Sequence, residues 1–139
     1  MSAPDVWADL RSLVLEVSDP HRAVVAATGE SFFRTKVLRR LLHGPISAGE
    51  LAEQLGSDPP YLSITLRDLE ARGHLRRTED PVDRRRRVVA LTDSGRELAR
   101  VANDVLGTPP AALTALDGSD LATLARIVSS LLGDSATSA

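Results

Sequence analysis

Apolar residues recur at three- and four-residue steps along most of the chain, and the rhythm changes in one place. Val6, Leu10, Leu13, Val14 and Val17 mark one face of a helix over 5–17. Ser18-Asp19-Pro20 kinks or restarts it, because proline suits a first helical turn, and 20–28 continues helically to Gly29. Ser31 opens a helix carrying Phe33, Val37, Leu38, Leu41 and Leu42, stopped by His43-Gly44-Pro45. Ser47 and Glu50 have capping-box spacing and start a short helix that ends at Gly56. Asp58 is positioned to cap the next, with Pro59 and Pro60 in its first turn. There Leu62, Thr65, Leu66 and Leu69 face inward, and Tyr61, Ile64, Arg67 and Asp68 outward, until Arg72-Gly73.

The rhythm then shortens. Residues 74–78 and 87–91 are strand candidates around the polar stretch 79–86, a hairpin with a long tip. Thr92-Asp93-Ser94 caps a helix bearing Leu98, Val101, Ala102, Val105 and Leu106, broken at 107–110. A last helix after Asp117-Gly118-Ser119 carries Leu121, Leu124, Val128 and Leu131 to Leu132, with Gly133 beyond its end. The expected fold is mainly α with a small β-hairpin wing: a winged helix-turn-helix core flanked by N- and C-terminal dimerisation helices. Its divisions are an N-terminal helical dimerisation segment (1–30), the core (31–92), a C-terminal helical dimerisation segment (93–133) and a flexible tail (134–139). The leucine and valine stripes of 5–17, 93–106 and 119–132 exceed what a small winged core covers, which predicts a homodimer.

Composition removes several function classes. No apolar run reaches membrane-spanning length and the first ten residues lack the form of a signal peptide, so the expected address is the cytoplasm, with no membrane partner. Zero cysteines exclude disulfides, thiolate zinc sites and thiol chemistry. His21, His43 and His74 lack a second ligand at metal spacing, so no metal or cofactor is expected. Nothing resembles a nucleophile–base pair or a phosphate-cradling glycine loop, so the chain reads as no enzyme. The net charge of −2 conceals a partition: −3 over residues 1–30, +4 over 31–100 and −3 over 101–139. A basic middle between acidic flanks suits a polyanion-binding module on a scaffold that stays clear of the polyanion.

Each part of the plan fits a different feature of double-stranded DNA. The second helix fits the major groove, and the arginine-rich tip fits the minor groove or its bordering phosphates. Helix starts at Ser47 and Asp58 aim backbone N–H groups at phosphates. The segments LLHGPISAGELA (41–52), LxxLEARGHLRR (66–77) and DPVDRRRRVVALTDSGR (80–96) resemble the MarR family of bacterial transcription regulators, most specifically in the wing. That resemblance implies a homodimer on a near-palindromic site and, in many members, release by a small organic ligand. Carried over by position, Asp83 and Arg85 match the wing's Asp-x-Arg motif, whose carboxylate orients the guanidinium. Arg77, Arg84 and Arg86 fall where wing residues meet backbone or minor groove. Asp58, Pro60, Tyr61, Ser63, Ile64 and Arg67 fall on the recognition helix, where the family more often has Ser, Arg, Thr or Gln. Fewer bidentate base readers remain; Arg67 is the best polar one, and Tyr61 and Ile64 suit thymine methyls.

Plainer uses stand beside these. The arginine run is also readable as a solvated hairpin, Tyr61 as packing against that hairpin, and Trp7 as core or dimer interface. The leading function is a DNA-binding transcriptional regulator, a repressor, with a possible small organic ligand between core and dimer helices. The alternative is a winged-helix protein-interaction module that does not read DNA sequence.

Overall fold

The computed structural model describes residues 1–137. Helix α1 (Ala3–Ser12) begins at a reciprocal capping box of Ser2 and Asp5, and widens into a π-helical turn over Leu13–Val17. Asp19 takes a left-handed conformation, φ 36°, and its side chain accepts the Arg22 N–H to start α2 (Pro20–Thr28). Helix α3 (Phe32–Leu41) is capped by Ser31, and α4 (Ala48–Leu55) and α5 (Pro59–Ala71) follow. Strands β1 (Leu75–Glu79) and β2 (Arg87–Leu91) pair antiparallel, with Leu75 opposite Leu91 and Arg77 opposite Val89. Ile46 pairs with Val89 across β2, so the segment before α4 adds a third rung to the wing. Helix α6 (Asp93–Gly107) completes the first of two compact units, Met1–Gly107.

The core of this unit explains the periodicities. Val37, Leu38 and Leu41 of α3 meet Leu51 of α4, Leu62, Leu66 and Leu69 of α5, and Leu75, Val89 and Leu91 of the wing. Burying such side chains contributes about 1.5–3 kcal/mol each, which outweighs the modest helix propensity of Thr65 and Ile64 on the same helix. Helix α6 lays Gly95, Ala99 and Ala102 against this core and packs on α2 and α3. One face of 93–106 is thus used inside the chain, while Leu98, Val101, Val105 and Leu106 stay partly exposed.

The second unit, Thr108 onward, holds the one-turn α7 (Ala111–Thr114) and the long α8 (Gly118–Thr137). Asp117 caps α8 by accepting the Asp120 N–H at 2.8 Å, as its sequence suggested. The helix does not stop at Leu132 but continues through Gly133, because glycine weakens a helix without ending it unless a left-handed turn follows. Of the expected tail, 134–137 is therefore helical and 138–139 lies outside the described residues. No helix among the described residues is long and apolar enough to cross a membrane.

Candidate nucleic-acid interface

Helix α5 divides as its pattern requires. Leu62, Thr65, Leu66 and Leu69 are buried, while Pro60, Ser63 and Arg67 are exposed, together with Tyr61 at 52% and Ile64 at 58%. The Tyr61 ring lies 5.0 Å from that of Phe33 on α3 and remains about half exposed. Phe32 stacks on His21 of α2 at 3.7 Å, so the paired phenylalanines serve two different junctions.

The start of α5 differs from expectation in its electrostatics. Asp58 occupies the cap position but makes no side-chain cap bond. Pro59 and Pro60 have no N–H to offer and the Leu62 N–H is donated to the Asp58 carbonyl, while the Tyr61 N–H, the donor a capping aspartate would take, is not bonded by the Asp58 side chain. This leaves the Tyr61 N–H alone in the first turn for a phosphate, so the helix-start contribution is small here. At α4, the Ser47 hydroxyl accepts the Glu50 N–H at 3.2 Å, but the box is not reciprocal. The Glu50 carboxylate is instead turned to the wing, where it pairs with Arg86.

That pairing reassigns the wing arginines. Arg86 also lies 3.7 Å from Asp80, so its guanidinium ties the loop to α4 and is not a spare charge for phosphates. Residues 84–86 form a turn and not a strand, which removes the geometry that would set Asp83 beside the Arg85 guanidinium. The Asp83 Oδ1 atom accepts the Arg85 backbone N–H at 3.1 Å, and its carbonyl accepts the Arg86 N–H at 3.0 Å. Asp83 thus shapes the turn, an Asx-type device, and acts on Arg85 through backbone. Arg84 and Arg85 are exposed, and neither is ion-paired with a carboxylate among the described residues. Arg77 is exposed on β1.

Two features were not read from the sequence. Glu30 is 5% exposed, between α2 and α3, and accepts from Arg72 at 2.6 Å and Arg34 at 3.5 Å, with His74 Nε2 at 3.8 Å. Arg34 also reaches Asp68 at 3.0 Å, so Asp68 belongs to this network and not to a free outer face. Arg72 and Asp68 lie at and near the C-terminal end of α5, and the network fixes that helix against α3. Replacing Glu30 by alanine is expected to cost on the order of 2 kcal/mol, less than a fully buried pair because Arg72 regains water. Glu30→Gln should cost less, since its amide oxygen still accepts. Urea denaturation measures both, and an unchanged midpoint for the alanine variant would refute the bracing role.

The second is Gly95. A Cβ there would stand 1.8 Å from the His74 carbonyl oxygen. The Thr92 hydroxyl accepts the Gly95 N–H and donates to the Gly73 carbonyl at 2.6 Å, while Ser94 bonds His74 Nδ1 at 3.0 Å. The TDSG segment is the clamp by which α6 grips the base of the wing.

Residues 35–86, which include α4, α5 and the start of the wing, match the family model described as MarR family. Over 73 residues, 52% of this chain, it is 37% identical to the uncharacterized HTH-type transcriptional regulator YdgJ of Bacillus subtilis (strain 168), covering 44% of that protein's length. The fold is similar to a point mutant of S. aureus MepR, with TM-score 0.80 at 17% identity over 96% of this chain and 98% of that one. It is also similar to the transcriptional repressor CouR bound to a 23-mer DNA duplex, with TM-score 0.68 and 30% identity over 91% of this chain and 89% of CouR. With the same order of helices and wing, and sequence likeness running through the recognition helix into the arginine-rich hairpin, this chain belongs to the MarR family.

Proposed function

We propose that this protein is a DNA-binding transcriptional repressor that acts as a homodimer on a near-palindromic operator. The observation that carries the reading is the pairing of an α5 outer face exposed at Pro60, Tyr61, Ser63, Ile64 and Arg67 with a wing whose Arg84 and Arg85 are ion-paired with no carboxylate among the described residues. The family's members are regulators and not enzymes, and CouR, similar over most of its length, is a repressor solved on DNA. Tyr61, Ser63, Ile64 and Arg67, with Pro60 beside them, are assigned to the major groove, and Arg84, Arg85 and Arg77 to phosphates or the minor groove. Asp58 and Ser47 flank the helix starts, and Asp83 and Arg86 hold the wing in shape. Release by a small organic ligand belongs to the same reading.

Duplex retention at low salt tests it against the interaction-module alternative. A steep fall of affinity with salt is expected, and absence of retention would favour a module that does not touch DNA. Asp83 provides a test with opposed signs. Asp83→Ala removes the acceptor that shapes the turn and should weaken binding about three- to tenfold. Asp83→Asn keeps the acceptor and removes a negative charge, so binding should hold or tighten. Tighter binding by the alanine variant would reduce the wing to a plain basic patch.

Association is supported by apolar surface left over after folding. Val6, Leu10, Leu13, Val14 and Val17 of the first helical stretch are exposed, with Trp7 at 62%, and so are Leu121, Ile127, Val128 and Leu131 of α8. Apolar helix faces of this extent mark interaction surfaces. Sedimentation equilibrium at micromolar concentration is expected to give twice 14.9 kDa. A 14.9 kDa species would contradict the dimer.

A further inference from the structure

The back of α3 carries chemistry that the winged interface leaves unused. A helix advances about 100° per residue, so Lys36, Arg39 and Arg40 share one sector, opposite the Arg34 that reaches α5. With His43 just beyond the helix end, they line an open pocket of about 230 Å³ whose other walls are Leu55 of α4 and Asn103 of α6. A helix C-terminus attracts cations in general. That does not account for how these two arginines are held. Arg39 Nε donates to Asn103 Oδ1 at 2.6 Å, and Arg40 Nε donates to Gln54 Oε1 of α4. Each guanidinium is anchored by a neutral amide from a neighbouring element, both are partly buried, and no carboxylate among the described residues is ion-paired with either. Two anchored guanidiniums that line one pocket and are ion-paired with no carboxylate among the described residues, with an ammonium and an imidazole beside them, suit a dianion.

We propose that this pocket binds a small organic phosphate. Its phosphate group lies between Arg39 and Arg40, Lys36 adds charge, His43 offers a ring nitrogen, and its carbon part rests on Leu55. The volume is below the roughly 300–1,000 Å³ of sites for drug-sized ligands, which suits a small phosphorylated guest. Because the arginines are tied to Gln54 and Asn103, an occupant braces α3 against both α4 and α6. The site lies on the opposite side of α3 from the recognition helix, so this inference stands apart from the DNA-binding reading and is tested without DNA.

Thermal unfolding of the full chain with millimolar glycerol phosphate, against glycerol plus sodium chloride at matched ionic strength, reads it directly. A saturable rise of about 3–6 °C is expected for the unmodified protein and none for Arg39→Gln/Arg40→Gln. No rise in the unmodified protein, or an equal rise in the double variant as general ion exclusion would give, overturns the proposal. Should circular dichroism show the double variant misfolded, Lys36→Gln on the exposed rim decides. Saturation shifted about three- to tenfold higher in concentration supports the site, and an unshifted curve overturns it.

Discussion

Gly95→Ala is expected to destabilise the protein by about 3 kcal/mol or more, with the urea midpoint falling and the slope unchanged. At an ordinary helical glycine the same change stabilises, by roughly 0.5–1 kcal/mol, because alanine loses less backbone entropy on folding. The sign reverses here because the new methyl would meet the His74 carbonyl oxygen at 1.8 Å, and that oxygen is backbone, unable to rotate away. The carbonyl is also engaged, accepting the Thr92 N–H at 3.2 Å. Either α6 slides off the wing base or the hairpin tilts, and both uncover Leu75 and Leu91, which are nearly fully buried. A neutral or stabilising result would show that α6 and the wing are not in this close contact.

The largest effect on affinity is expected from Arg84→Ala/Arg85→Ala. Both side chains are exposed and ion-paired with no carboxylate among the described residues, so removing them deletes two charges for DNA and no internal ion pair. Each phosphate neutralised contributes about 0.9 to the slope of log affinity against log salt, so the double variant should lower that slope by about two. Affinity at low salt should fall on the order of a hundredfold, with thermal stability within about 0.5 kcal/mol of the parent. Arg86→Ala is the contrast. Its guanidinium is held by Glu50 and Asp80, so its loss should loosen the wing from α4 and lower stability. Fluorescence anisotropy across a salt series separates the two cases, and equal salt slopes for the parent and the Arg84/Arg85 variant would remove the wing from the interface.

Much of this architecture is written in local pattern. The stripe Leu62–Leu66–Leu69 and the stops at Gly44, Gly56 and Gly73 set α3, α4 and α5, because periodic burial and left-handed termini act within one or two turns. The outer face of α5 was legible for the same reason. The continuation of α8 past Gly133 was not, since a glycine alone does not distinguish a pause from an end. Side-chain partnerships across distance were also hidden. Glu30 finds Arg72 forty-two residues away, and Glu50 finds Arg86 thirty-six away, and no spacing rule connects either pair. How Asp83 bears on Arg85 was hidden as well, because the tip is a turn in which the Asp83 Oδ1 atom accepts the Arg85 backbone N–H. Asp58 resembles a cap by residue type, yet its side chain makes no cap bond.

The central claim is that this chain reads DNA sequence through α5 as a symmetric dimer. The most direct measurement is enrichment of bound duplexes from a randomised pool by the purified full-length chain, at a salt concentration where non-specific binding is weak. The expected result is an inverted repeat whose half-sites lie about one helical turn apart, roughly 34 Å, with Arg67→Ala relaxing preference at one base pair in each half. Enrichment of no sequence, or of a single half-site without its inverted copy, would contradict it.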